Sequence, residues 1–244
     1  MQTLLPNQLR PDGVVEQDGF SILPGVLGKR EIERLINAIS NIADESGVRS
    51  RGGVYAIRNL LQLSPVIREL ACSAKVRSIV EETLQNSASP VRATLFDKTG
   101  GANWLVPWHQ DLSICVDTRL DVTGYGPWTM KAGIWHVQPP TYILDRMLSV
   151  RIHLDDCNES NGALRVLPGT HRFGRLNAVQ IAERQRLATS VSCVIGAGGV
   201  VLMRPLLIHA SSAASETTHR RVIHIDYASC QLDGGLRWAT VSTP

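Results

Sequence analysis

The chain has no strong excess of either charge: 25 lysines and arginines stand against 22 aspartates and glutamates, a formal net of +3. It also has no lysine- and arginine-rich run, which disfavours nucleic acid or an anionic membrane as its main partner. No apolar stretch approaches the ~20 residues of a membrane span, and the opening MQTLLPNQLRPDG lacks the apolar centre of a secretion signal. Cysteine is sparse and scattered. Cys72, Cys115, Cys157, Cys193 and Cys230 form no C-x-x-C pair, which excludes zinc-finger spacing and argues for reduced, mostly structural thiols. A cytoplasmic protein is expected. Internal repeats and low-complexity linkers are missing as well, so one domain over 1–244 is the simplest count.

What is present is globular in kind, with 43% hydrophobic and 19% charged residues. Residues 14–28 read as a short strand with turns at Asp18-Gly19 and Pro24-Gly25. Ile32, Leu35, Ile36, Ile39 and Ile42 then recur at helical spacing, with Gly47 as a stop. A second helix is predicted over 65–84, with Pro65 at its first position and an apolar face running from Val66 to Leu84. From Val91 onward short β-rich segments alternate with Gly, Pro, Asn and Asp, the pattern of an antiparallel sandwich or barrel. The predicted layout is a helical part over about 1–90 leaning on a β core over about 91–235. Within that core the Gly- and Pro-containing segment 116–146 reads as a lid or binding loop.

The stretch VPWHQDLS places His109 and Asp111 two residues apart, so at a strand end both face the same way. Alone, the pair is either half of a metal site or two neighbouring polar groups. A third donor is offered by His209, which ends the apolar run GGVVLMRPLLIHASS. Two histidines and one carboxylate on one face leave positions open, a set suited to iron(II) that must also bind an organic chelator and dioxygen. Farther on, Arg220 and Arg221 begin the segment RVIHIDYA and alternate in facing, so only one can point inward. A buried guanidinium needs an anionic partner, and a carboxylate gripped bidentately suits it.

These motifs together resemble the phytanoyl-CoA dioxygenase family of iron(II)/2-oxoglutarate oxygenases. The resemblance rests on His109-Gln110-Asp111, on LDDCNESNGALRVLPGTHRFG at 154–174, on HASSAASETTHRR at 209–221 and on the opening DGFSILPGVLGKREIERL. It implies a mainly β fold, a double-stranded β-helix (jelly roll, cupin-like) with the N-terminal α-helices packed on one sheet. It further implies that His109, Asp111 and His209 bind Fe(II), that Arg220 and Ser211 hold the 2-oxoglutarate carboxylate, and that Lys98 or Thr94 help line that pocket. One departure is visible: many relatives have asparagine in the turn after the distal histidine, where this chain reads Ser212-Ala213-Ala214.

The implied reaction consumes 2-oxoglutarate and O2, releases succinate and CO2, and oxidises an unactivated C–H bond. Hydroxylation is the default outcome, because Asp111 fills the position a halide takes in related halogenases. Desaturation, cyclisation and epimerisation use the same ligands, and a non-catalytic jelly-roll binding protein is the alternative from another class. Four of the five tryptophans fall within 104–135, and Trp135, His136, Gln138 and Arg151 are the candidate substrate contacts. Asn161-Gly162 and Pro168-Gly169 suit tight turns, and His171, His153 and His224 read as structural. Near-neutral charge with no visible cationic surface leans towards a small-molecule substrate, and the oligomeric state is left open.

Overall fold

The computed structural model describes residues 11–43, 49–50, 54–99, 105–214 and 219–239. Gly47, expected to stop the first helix, and Trp104 lie outside them. The core is a jelly roll. A seven-stranded antiparallel sheet runs, edge to edge, Phe20–Leu23, Val200–Met203, Met147–His153, Arg220–Ala228, Ser89–Lys98, Val54–Ile57 and Arg49–Ser50. Facing it, a four-stranded sheet runs Val191–Ser192, Leu164–Val166, His209–Ser211 and Val106–His109.

The two faces of the large sheet are written in the period-two pattern of its strands. Ala93, Leu95, Val150, Ile152, Ile223 and Ile225 point to the helices and join one apolar cluster with Ile67, Val76 and Val80. Each such side chain, almost wholly withdrawn from water, contributes about 1.5–3 kcal/mol. Their alternate neighbours Thr94, Lys98, Arg151, Arg220 and His224 point inward between the sheets, and all are buried. A buried polar row of this kind is costly unless it binds something.

The N-terminal helices differ from their expected outlines. Residues 14–18 belong to a helix, Pro11–Asp18, and only Phe20–Leu23 is a strand. Pro11 suits the first helical position, and Gly19 at φ +80° ends the helix by donating its N–H to the Val15 carbonyl at 3.0 Å. The helix expected over 65–84 is two helices, Pro65–Cys72 and Ala74–Leu84. Ser73 breaks it: its backbone is extended and its side chain accepts from Val76 N, capping the second helix as Ser64 caps the first.

The segment expected as a lid loop is largely ordered into a third sheet. Ile114–Val116, Ile134–Val137 and Trp128–Lys131 form three antiparallel strands, followed by the short helix Thr141–Leu144. It has its own apolar cluster, including Ile114, Val116, Val137, Ile143 and Leu144, which the Gly and Pro content obscured. Among the described residues no helix is long and apolar enough to cross a membrane.

Candidate active site

Between the two jelly-roll sheets lies a cavity of about 410 Å³. At one end of it, His109 and His209 are registered cross-strand partners with ring centroids 4.2 Å apart. Asp111 sits just past its strand, fixed by donation from its backbone N–H to the Pro205 carbonyl at 2.9 Å. The His109 Nδ1 lies 2.8 Å from the Pro107 carbonyl and the His209 Nδ1 2.9 Å from that of Leu207. A carbonyl only accepts, so both Nδ1 atoms carry the proton and both Nε2 lone pairs are left for the cavity.

Those Nε2 atoms stand 3.7 and 3.6 Å from the two Asp111 oxygens, too far for hydrogen bonds. The three donors lie within 4.8 Å of one another, a gap that one cation fills. Burial pushes the His209 imidazole down to about 4, which keeps it neutral and ligand-ready. Burial alone would raise the Asp111 carboxyl, but His209 and His109 hold it well below the usual range. The donor set therefore fits a divalent ion of the iron type, with one face open to the cavity. Gln110 points away as expected and fastens the site from behind: Nε2 donates to the Gly174 and Leu206 carbonyls, and Oε1 accepts from Leu176 N, all at 2.7–2.8 Å.

At the other end cations gather, and among the described residues lining the cavity Asp111 is the one carboxylate. Lys98 is 1% exposed and Arg220 2%. Lys98 Nζ donates to Ser211 Oγ at 2.7 Å and to the Ser212 carbonyl at 2.5 Å. Ser211 Oγ and Arg220 Nη1 both donate to the Gly162 carbonyl, at 2.8 and 2.5 Å. Gly162 is irreplaceable here: its φ is +78°, and a Cβ would lie 2.5 Å from the Ser212 carbonyl oxygen. Arg220 Nε, though buried, has no partner. Burial, Arg220 and Arg151 together push the Lys98 ammonium down to about 7. Such a concentration of buried positive charge fits an anionic ligand.

Arg151 is delivered by a relay. Arg151 Nη1 donates to His224 Nδ1 at 2.9 Å, so His224 Nε2 carries the proton and donates to Asp226 Oδ1, also at 2.9 Å. Asp226 accepts further from Ser149 Oγ at 2.6 Å and Arg92 Nε at 2.5 Å. Burial would raise this carboxyl, but Arg92, His224 and Ser149 hold it far below its ordinary value.

Of the residues singled out in the sequence, His109, Asp111, His209, Thr94, Lys98, Ser211, Arg220, Arg151 and Gln138 all line this cavity. Trp135 and His136 do not. The Trp135 ring packs edge-on against Trp128, 6.3 Å between centroids, with Arg119 over both rings. His136, next along the strand, turns to the opposite face and is buried against Cys115 Sγ. Trp108 also leaves the cavity, lying under Arg165. Arg221 faces outward and pairs bidentately with Asp155. Arg58, Arg92, Phe96 and Lys131 line the cavity without having been marked; Arg92 and Phe96 share the inward strand face of the marked Thr94 and Lys98.

The sequence profile of the phytanoyl-CoA dioxygenase (PhyH) family matches residues 15–222. The chain belongs to this family. It is 23% identical over 166 residues to the ectoine dioxygenase of Bordetella bronchiseptica, covering 64% of this chain and 47% of that relative. The chain thus spans about half the length of that relative. It is 23% identical to the L-proline trans-4-hydroxylase of Streptomyces griseoviridis over 86% of this chain and 82% of the other. The crystal structure of EctD from S. alaskensis with 2-oxoglutarate and 5-hydroxyectoine has the same fold, at TM-score 0.73 and 20% identity, covering 100% of this chain and 83% of that one.

Proposed function

We propose that the protein is an iron(II)- and 2-oxoglutarate-dependent dioxygenase that hydroxylates an unactivated C–H bond of a small-molecule metabolite, releasing succinate and CO2. The observation that carries this reading is the polarity of one cavity: unspent donors of His109, Asp111 and His209 at one end, buried cations at the other. Bound iron with its cosubstrate would supply the power to oxidise a C–H bond with O2. Family membership and the soluble-type composition support a cytoplasmic setting.

The chain's own residues have separable tasks in this scheme. His109 and His209 would offer Nε2 to the metal, held in that tautomer by the Pro107 and Leu207 carbonyls. Asp111 would complete the set with a carboxylate, leaving no place for a halide. Arg220, Lys98 and Ser211 would bind the far carboxylate of 2-oxoglutarate, with the Gly162 carbonyl fixing two of them. Thr94 lines the same region, Arg151 feels the charge of both Asp111 and Arg220, and Gln138 faces the cavity as a substrate contact. Enclosure between the sheets limits water around the reacting C–H bond.

Anaerobic addition of iron(II) and 2-oxoglutarate is expected to produce a visible charge-transfer band. Folded wild-type protein that shows no band and releases no succinate would overturn the assignment.

A further inference from the structure

We propose, resting on the oxygenase reading of this cavity, that Arg151 binds the metal-side carboxylate of 2-oxoglutarate, and that His224 and Asp226 are the positioning residues that aim it there. In that reading the far carboxylate has Arg220, Lys98 and Ser211 at one end of the cavity, and the donors His109, Asp111 and His209 stand at the other. Arg151 lines the same cavity, and its charge acts on Lys98 at one end and on His109 and His209 at the other. Its donors are only partly used. Arg151 is 7% exposed; Nη1 donates to His224, whereas Nε is buried with no partner among the described residues. A buried guanidinium edge without an acceptor is costly, and a carboxylate oxygen is the acceptor that offsets most of that cost.

The relay behind Arg151 is written on two rungs of the seven-stranded sheet. His224 is the cross-strand partner of Arg151, and Asp226 is that of both Ser149 and Arg92. Asp226 fixes the His224 ring through Nε2, and Nδ1 of the same ring then fixes Nη1 of Arg151. Phe96 supports both. Its ring stands edge-on to His224, with 6.0 Å between centroids, and lies 5.9 Å from the Arg151 guanidinium carbon. Burial, then Arg220, lower the Arg151 pKa to about 10, so the group stays charged at neutral pH. A guanidinium held this way gives up little freedom when a ligand arrives, and its planar fork suits a carboxylate.

The test uses protein loaded with Mn(II), a paramagnetic stand-in for iron, and three keto acids. These are 2-oxoglutarate, 2-oxopentanoate, which keeps only the metal-side carboxylate, and 4-oxopentanoate, which keeps only the far one. Relaxation of their carbon-bound protons by the metal measures each affinity. Arg151→Gln should weaken 2-oxoglutarate and 2-oxopentanoate about tenfold and leave 4-oxopentanoate within about twofold. His224→Leu, which keeps the guanidinium and removes its anchor, should give the same pattern more weakly, and it carries the test if Arg151→Gln does not fold. His224→Gln, whose amide oxygen can accept from Nη1, should restore most of the lost affinity. Equal weakening of all three ligands, the mark of a merely structural role, would overturn the proposal. So would unchanged 2-oxopentanoate affinity in Arg151→Gln, which would hand Arg151 to the substrate instead. If 2-oxoglutarate is not relaxed in the wild type, the oxygenase reading itself fails.

Discussion

The chain spells His-x-Asp at 109–111 and again at 224–226, and the two pairs lie on opposite sheets around the same cavity. In the second, His224 Nε2 reaches Asp226 directly at 2.9 Å, and the carboxylate is further occupied by Ser149 and Arg92. In the first, imidazole and carboxylate stand 3.6–3.7 Å apart, and the Nδ1 atoms are occupied by backbone so that Nε2 is not. Identical spacing thus yields a hydrogen-bonded pair in one place and a candidate metal site in the other. What separates them is whether the lone pairs are already used. A third copy, His153-Leu154-Asp155, serves as neither: the strand ends at His153 and Asp155 turns out to grip Arg221.

The largest expected effect breaks this comparison at the metal end. His109→Ala or Asp111→Ala should lower succinate formation more than about a hundredfold, exceeding the usual cost of losing a residue that only orients a ligand. His224→Ala should retain the iron-dependent absorption band that His109→Ala loses. Next comes stability. Asp226→Asn breaks a buried ion pair and should cost about 3–5 kcal/mol by denaturant titration. Because the folded Asp226 carboxyl is held low, its contribution is present above the ordinary carboxylate pKa of ~3.9 and is lost as pH falls through the folded value. The variant should therefore show a flatter acid limb in its stability profile than the wild type.

A smaller effect concerns the cosubstrate. Lys98 titrates near 7 in the free protein, and its charged form suits a carboxylate. Affinity for 2-oxoglutarate should weaken as pH rises above about 7, by at most about tenfold per unit. Lys98→Met should bind less tightly at pH 6 and show little of that dependence, as measured by calorimetry. Smallest is the baseline: Ser73→Ala touches neither His-x-Asp pair. Loss of its helix cap should cost about 1 kcal/mol in thermal unfolding, with the iron band unchanged.

Much of the jelly roll was legible because its large sheet is two-faced. The apolar residues facing the helices and the polar ones facing inward alternate residue by residue along RVIHIDYA and VRATLFDK. The candidate metal donors could be named because their residue types fall at strand ends; alternate facing required only that one of Arg220 and Arg221 point inward, and the family resemblance chose Arg220. Two kinds of feature escaped. Trp135 and His136, named as candidate substrate contacts, do not line the cavity, and their surroundings were hidden because segment 116–146 reads as loop. Its apolar residues pack in a small sheet, and the two side chains, on opposite strand faces, are taken up by Trp128 and by Cys115 respectively. The cationic lining escaped because Arg58, Arg92, Lys98, Lys131, Arg151 and Arg220 are scattered along a chain of near-neutral net charge. Local charge is a property of the fold, which brings six such residues to one hollow while composition averages them away.

The third sheet also bears on how this chain can be changed. The candidate metal donors His109 and His209 lie on the four-stranded sheet with Asp111 just past it, and the buried cations on the seven-stranded one, whereas Lys131 and Gln138 come from or just beyond the three-stranded insert. That insert packs its apolar residues with Val91, Met147, Leu206 and Ala228 of the core, and the Asn59 side chain donates to its hairpin turn at Ala132. Residues 114–138 are thus joined to the core by shared packing and by backbone bonds from Asp117 to Arg237 and from Ala239 to Cys115, so a different hairpin would redraw the entrance only if it kept those attachments.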